Sequence, residues 1–281
     1  MKGRKNMAKK IGLVGIYFPG AYDALHENVP EGFELVDALS PEAYGNLADC
    51  EYLISRLDID PDIINHTPNV KFWQRWGAGF DHVDLKAWGE RGIPIATCPG
   101  VNSGIVAELA IMLMLAGYRN LLQINRQLRA GHWPRTEYFG RSFMIKGKTV
   151  GVLGLGHIGK KVAALATAFG ANVIYYDIVR QTEQEEKFGY RFVDFDTLLR
   201  ESDIYTIHCP LNEETRGMIG AEQFAQMKPT AMLINTARGP IVDEAALIDA
   251  LATGRIATAG LDTYEREPLP KDHPLLTLDN V

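Results

Sequence analysis

The chain has 281 residues, 46% of them apolar, which excludes a disordered or low-complexity chain and predicts two compact domains. Its 29 basic and 35 acidic residues give a net charge of −6 without a basic stripe, which excludes an electrostatically held nucleic acid but not a small anionic ligand. Three widely spaced cysteines, Cys50, Cys98 and Cys209, exclude a disulfide framework, provide no metal-ligand spacing and fit reduced thiols in the cytoplasm.

Residues 1–8 read as a basic, solvated tail, with Met7 as an alternative start, because no apolar segment of a secretory signal follows them. Residues 11–16 form the first predicted strand, bounded by Pro19-Gly20. Further strands are predicted over 52–55, 72–76 and 93–96, with helical spacing over 41–47 and 84–92 between them. A hinge falls near Pro99–Asn102, dividing the chain into domains 1–101 and 102–281. A helical stretch over 103–130 opens the second domain, with Asn102 and Ser103 supplying capping oxygens. Its most apolar part, 105–118, contains Glu108 and is too short to cross a bilayer. Strands then follow over 149–153, 172–176, 204–208, 231–235 and 256–261, alternating with helices over 158–169, 195–201, 221–227 and 243–252. Short apolar runs alternating with amphipathic stretches predict an α/β fold with two doubly wound parallel sheets.

One loop carries a chemical signature. Gly154-Leu155-Gly156-His157-Ile158-Gly159 joins a β-branched apolar run to a helix, the context a phosphate-binding glycine loop requires. Gly154 permits the tight turn, Gly156 lets a pyrophosphate approach the backbone, and Gly159 lets the helix pack close to the sheet. The positive end of that helix attracts phosphate. Asp177 ends the next strand, 18 residues after Gly159, where a carboxylate accepts hydrogen bonds from ribose hydroxyls and repels a 2′-phosphate. The cofactor expected is therefore NAD rather than NADP.

Two charged residues stand past later strands. Arg238 follows the run Leu233 to Ala237, at the sheet edge where open α/β folds bind ligands, and a guanidinium there can grip a carboxylate through two parallel hydrogen bonds. A surface ion pair is the plainer reading of Arg238 taken alone. Glu267, in the run 260–268, has a task if it orients an imidazole, and is otherwise a solvated loop carboxylate.

Taken together these motifs resemble the D-isomer-specific 2-hydroxyacid dehydrogenases over nearly the whole chain. The resemblance rests on Gly77-Ala78-Gly79-Phe80-Asp81-His82-Val83-Asp84, Val106-Ala107-Glu108, Gly154 to Gly159, and His208-Cys209-Pro210-Leu211 with Thr215. It continues through Asn235 to Gly239 and Asp262 to Pro268. It implies a flavodoxin-like substrate domain over 1–101 and a Rossmann NAD-binding domain over 102–281. Arg238 would bind the substrate carboxylate and polarise its 2-oxo group, and the backbone N–H groups of Ala78 and Gly79 would bind that carboxylate from the other domain. Glu267 would hydrogen-bond a catalytic histidine, while hydride moves between C2 and the nicotinamide. His157 and Ile158 would face the pyrophosphate, Cys209, Pro210 and Thr215 the adenosine, and Thr236, Ala237 and Asp262 the nicotinamide.

The same resemblance implies a catalytic histidine in a Thr-Pro-His segment beyond the stretch matching His273 to Val281, and a closing helix that returns to the first domain. Neither occurs in this sequence. His273 matches a structural His-Pro-Leu turn, His208 a residue near the cofactor, and His132 and His82 lie in other loops. Two readings follow: a piece of an active enzyme whose chain continues past Val281, or an NAD-binding, corepressor-like protein without acid–base catalysis. For the substrate, Tyr17 and Phe18 could wall a small pocket, and Arg75 could meet an anionic tail or form a surface salt bridge. Glyoxylate, hydroxypyruvate, lactate-type acids and phosphoglycerate stay open. Glu267 speaks against the formate-oxidising branch. An apolar face over 107–122, with Met112, Met114 and Leu121, suits a homodimer contact or an interior one.

Overall fold

The computed structural model describes residues 8–56, 59–81 and 83–281, so the expected tail and His82 lie outside the described residues. The chain divides into two compact units, 1–101 and 102–281. In the first, β1 (Lys9–Gly15), α1 (Pro19–Glu27), β2 (Phe33–Ala38), β3 (Tyr52–Arg56), β4 (Phe72–Arg75), α2 (Leu85–Glu90) and β5 (Ile95–Ala96) follow one another. The five strands form a parallel sheet in the order β2-β1-β3-β4-β5, the doubly wound arrangement of flavodoxin-like folds. Its core gathers Val14, Leu47, Leu53, Ile63, Trp73 and Trp88. Residues 41–49 form a 3-10 helix rather than an α-helix, and the carboxylate of Asp84 caps α2 by accepting the Ala87 N–H at 2.9 Å.

The second unit contains α3 (Ser103–Tyr118), α4 (Leu121–Arg129), β6 (Thr149–Leu153), α5 (His157–Ala168), β7 (Asn172–Tyr176), α6 (Thr182–Phe188), β8 (Arg191–Phe192), α7 (Phe195–Glu201), β9 (Ile204–Ile207), α8 (Ala221–Gln226), β10 (Met232–Asn235), α9 (Glu244–Ala252) and β11 (Thr258–Leu261). Its six parallel strands run β11-β10-β9-β6-β7-β8, and the order reverses between β6 and β9. That reversal is the Rossmann switch point, where ligands bind beyond the carboxyl ends of the strands. Every residue of β9 and β10 is buried, as expected for central strands covered on both faces. One core layer joins Leu198, Tyr205, Phe224, Leu233 and Leu247. The other joins Ala107, Met114, Val150, Val162 and Tyr175.

Three expectations need correction. The helical stretch 103–130 is two helices, bent by 59° at a break where Asn120 takes a left-handed φ of 50°. Asn102 sits at the N-cap of α3, but its side chain makes no capping hydrogen bond. Met114 is fully buried and belongs to the core, whereas Met112 and Leu121 face outward, 55% exposed each. Among the described residues no single helix is long and apolar enough to cross a membrane.

Candidate functional site

Because the second sheet is parallel, all its strands deliver their following loops to one edge. Gly154 follows β6, Asp177 follows β7, His208 follows β9, Thr236 to Arg238 follow β10, and Asp262 follows β11. The topology therefore brings together the residues of the second unit that the sequence singled out.

The glycine loop is fixed from both sides. Gly154 donates its N–H to the Tyr176 carbonyl at 2.8 Å with φ at +89°, and a Cβ there would stand 2.8 Å from the Cys209 nitrogen. A Cβ at Gly159 would come within 2.0 Å of the Gly154 carbonyl oxygen, so α5 can approach the sheet only with glycine at that position. A Cβ at Gly156 would meet nothing within 4 Å, so the loop surface is open there. No side chain caps α5, which begins at His157 and Ile158, so its first N–H groups remain for a ligand. Asp177 closes the loop: its Oδ2 accepts the Leu155 N–H at 2.6 Å and its Oδ1 accepts the Val179 N–H at 3.1 Å.

On the other side of the switch point, Asn235 shapes the turn that carries Arg238. Its buried side chain donates from Nδ2 to the Arg238 carbonyl at 2.9 Å and accepts the Ala237 N–H at 3.1 Å. The Arg238 Nη1 donates to the Ala237 carbonyl at 2.6 Å, holding the half-buried guanidinium against its own turn. Gly239 then packs on the neighbouring loop: a Cβ there would stand 2.0 Å from the Tyr264 carbonyl carbon and 2.5 Å from the Glu265 nitrogen. That loop holds Glu267, whose Oε1 accepts the Tyr264 N–H at 3.0 Å. Burial and the nearby Glu267 carboxylate raise the pKa of Asp262 above the usual carboxylate value. Asn235 and Gly239 were part of the sequence motif, yet their positioning roles depend on contacts that no spacing rule shows.

His208 lies beside the switch point. Its Nε2 pairs with the Thr206 hydroxyl at 2.8 Å, while its shielded Nδ1 has no hydrogen-bond partner among the described residues. Burial pushes its pKa down to about 3, so the ring is neutral at physiological pH. Protonation therefore favours the unfolded chain, where histidine titrates near 6.5. This contribution to stability is complete above pH 6.5 and is lost as pH falls toward 3, at up to about 1.4 kcal/mol per pH unit. Urea midpoints measured between pH 7 and pH 4.5 should fall less steeply in His208→Gln than in the parent; equal slopes would refute this role.

Other site residues prove more structural than expected. The Thr215 hydroxyl is absorbed in its own loop, donating to the Pro210 carbonyl at 2.7 Å and accepting the Asn212 N–H at 2.9 Å. Thr215 thus shapes the loop behind Cys209 and the exposed Pro210. Burial pushes the Cys209 thiol up to about 11, which makes it unreactive. His273 starts a short 3-10 turn, accepts the Leu275 N–H and pairs through Nε2 with Glu244 at 3.0 Å.

In the first unit, Ala78 and Gly79 follow β4 in a loop fastened by Cys98, whose N–H donates to the Gly77 carbonyl at 2.9 Å. Arg75 was expected at the surface or at a substrate tail. It is instead 8% exposed, and its Nε donates to the Gly79 carbonyl, so it braces this loop from within. Tyr17 donates its hydroxyl to the Ile54 carbonyl at 2.8 Å, and the exposed Phe18 lies under the Arg56 guanidinium at 4.9 Å.

The profile of the D-isomer specific 2-hydroxyacid dehydrogenase NAD binding domain matches residues 111–281. The chain belongs to this family. It is 42% identical over 245 residues to a glyoxylate reductase of Thermofilum pendens, covering 85% of this chain and 72% of that one. To the D-3-phosphoglycerate dehydrogenase of Archaeoglobus fulgidus it is 44% identical over 227 residues, covering 81% of this chain but only 43% of the relative's length. The glyoxylate/hydroxypyruvate reductase B of Yersinia pestis is 40% identical over 268 residues, which cover 92% of this chain and 82% of the relative. Among solved structures, a glyoxylate reductase from Paecilomyes thermophila aligns with a TM-score of 0.82 at 32% identity, covering 97% of this chain and 86% of that one. An NAD-dependent formate dehydrogenase from Staphylococcus aureus, solved with NAD, aligns at 0.82 and 30%, covering 96% and 86%.

The family's cofactor is NAD, and the residues present fit it. The open surface above Gly156, the uncapped start of α5 and the carboxylate at the tip of β7 match a pyrophosphate followed by a ribose. The buried Thr236 hydroxyl, at the edge of β10, has no hydrogen-bond partner among the described residues and offers one to a ligand.

Proposed function

We propose that the protein transfers hydride between NAD(H) and C2 of a small D-2-hydroxy acid or its 2-oxo acid, with glyoxylate or hydroxypyruvate as the substrate class. The observation that carries this reading is the packing of Gly239 on Tyr264 and Glu265, which holds the Arg238 turn beside the Glu267 loop at the edge that carries the glycine loop. Bound NADH supplies the hydride. Arg238 grips the substrate carboxylate and draws electron density from the 2-oxo group. In the first unit, Arg75 holds the loop of Ala78 and Gly79, whose backbone N–H groups the family resemblance assigns to substrate. Gly154, Gly156, His157, Ile158 and Gly159 bind the pyrophosphate, and Asp177 the ribose. Cys209 and Pro210 border the adenosine, and Thr236, Ala237 and Asp262 the nicotinamide. Glu267 orients the imidazole that passes the proton to or from the 2-oxygen. The names of the relatives support the substrate class, and the engagement of Arg75 with Gly79 favours a substrate without a phosphate tail. The test is consumption of NADH with glyoxylate, hydroxypyruvate and phosphohydroxypyruvate, with the configuration of the product determined. An L-hydroxy acid, or no carbonyl-dependent oxidation even with imidazole added, would refute the proposal.

The protein works as a homodimer in the cytoplasm. Ile105, Met112, Leu121 and Leu122 on α3 and α4 are 75%, 55%, 55% and 59% exposed, an apolar face that a second copy would cover. The free thiols support the compartment. Sedimentation should show a dimer that Met112→Asp combined with Leu122→Asp converts to monomer; a monomeric parent would overturn the assignment.

A further inference from the structure

The loop after β7 runs Asp177-Ile178-Val179-Arg180-Gln181, and it contains a cation. An arginine three residues after the ribose carboxylate is within about 10 Å of it along the chain, and a released side chain could reach an anion there. Such a guanidinium is the group that would receive a 2′-phosphate. In this structure it is turned to another task. Arg180 donates from Nε to Glu185 Oε1 at 2.9 Å and from Nη2 to Glu185 Oε2 at 2.7 Å, a two-pronged pair, and its guanidinium stands 5.5 Å from the Phe192 ring centre.

Glu185 is itself held in place. It lies in the first turn of α6, and the hydroxyl of the fully buried Tyr175 donates to its Oε1 at 2.7 Å. The same hydroxyl accepts the Gln181 N–H at 2.8 Å, so one buried phenol fixes both the start of α6 and the carboxylate that holds Arg180. The Arg180 and Tyr175 donors hold the Glu185 pKa down to about 2, and the carboxylate is ionised throughout the working pH range.

We propose that Glu185 is a specificity-determining residue for the cofactor. By holding Arg180 in a two-pronged ion pair, it withholds from a 2′-phosphate the cation that the ribose loop contains. Selection of NAD then rests on two carboxylates with different tasks. Asp177 repels the 2′-phosphate directly, and Glu185 removes the partner that would compensate for its charge. This rests on the proposed place of Asp177 at the ribose, which the single variant Asp177→Asn tests separately by weakening NADH several-fold.

The experiment is titration of the whole protein with NADH and with NADPH, followed by tryptophan fluorescence, so that no turnover is needed. In the Asp177→Asn background, Glu185→Gln should tighten NADPH by about tenfold or more, the scale of one charge-assisted pair. Glutamine retains an acceptor for Tyr175, and melting temperatures check the fold. Adding Arg180→Met to that double variant should abolish the gain, while Glu185→Gln alone should change NADH affinity less than about threefold. Arg180→Met with Asp177→Asn alone should leave NADPH affinity unchanged, because the guanidinium is already withheld. An NADPH gain that persists without Arg180 would overturn the proposal. So would a loss of NADPH affinity on removing Arg180 while Glu185 is intact.

Discussion

Arg238→Lys is expected to lower kcat/KM for a 2-oxo acid by about a hundred- to a thousandfold, while the Kd for NADH changes less than about twofold. Lysine retains the charge but loses the planar fork that binds a carboxylate through two bonds. It also loses the anchor that now fixes the guanidinium, the 2.6 Å bond from Nη1 to the Ala237 carbonyl. The loss should appear in kcat as well as KM, because polarisation of the 2-oxo group grows toward the transition state. Stopped-flow measurement of NADH oxidation separates the two. If Arg238→Lys retains activity within about threefold, the arginine holds no substrate and serves only the turn.

That turn illustrates what a sequence can and cannot disclose. The central strands β6, β7, β9 and β10 were legible because each is a short apolar run buried on both faces. The glycine loop was legible because its strand and helix have local signatures. β2 was missed: it is an edge strand whose Glu34 and Asp37 interrupt its apolar residues, and only pairing with β1 reveals it. The break at Asn120 was missed because apolar residues continue on both sides of it, and the backbone rather than the pattern turns there.

Arg75 shows the limit for charged residues. Its position two residues before Gly77 allows a partner for an anionic substrate tail or a surface salt bridge, yet folding places its guanidinium under the Gly77–Gly79 loop. The pairing of Arg180 with Glu185 was equally hidden. Five residues separate them, which no helical or strand period connects, because the pair bridges a loop and the first turn of the next helix. Candidate site residues are thus singled out by type and by sheet edge. Which of these candidates also hold a loop shows only in the contacts.

Glu267 leads to the second large expected effect. Of the six described histidines, five have other partners: His26 pairs with Asp37, His66 with Asp62, His132 with Glu137, His208 with Thr206 and His273 with Glu244. The sixth, His157, opens α5. If neither these nor His82, which lies outside the described residues, supplies the proton, the chain should bind NADH normally yet reduce a 2-oxo acid about a hundred- to ten-thousandfold more slowly than a family member with its general acid in place. Free imidazole should restore part of that rate, saturating as it fills the position that Glu267 would otherwise offer to a side chain. The recovery must be partial, since a tethered group acts at an effective concentration of about 10⁵ M or more. Glu267→Gln should remove most of the rescue without changing NADH affinity, because the amide cannot stabilise the imidazolium that forms as the proton moves. Full turnover without imidazole would mean that another residue supplies the proton, and Glu267 would then be a loop carboxylate fixed by the Tyr264 N–H and nothing more.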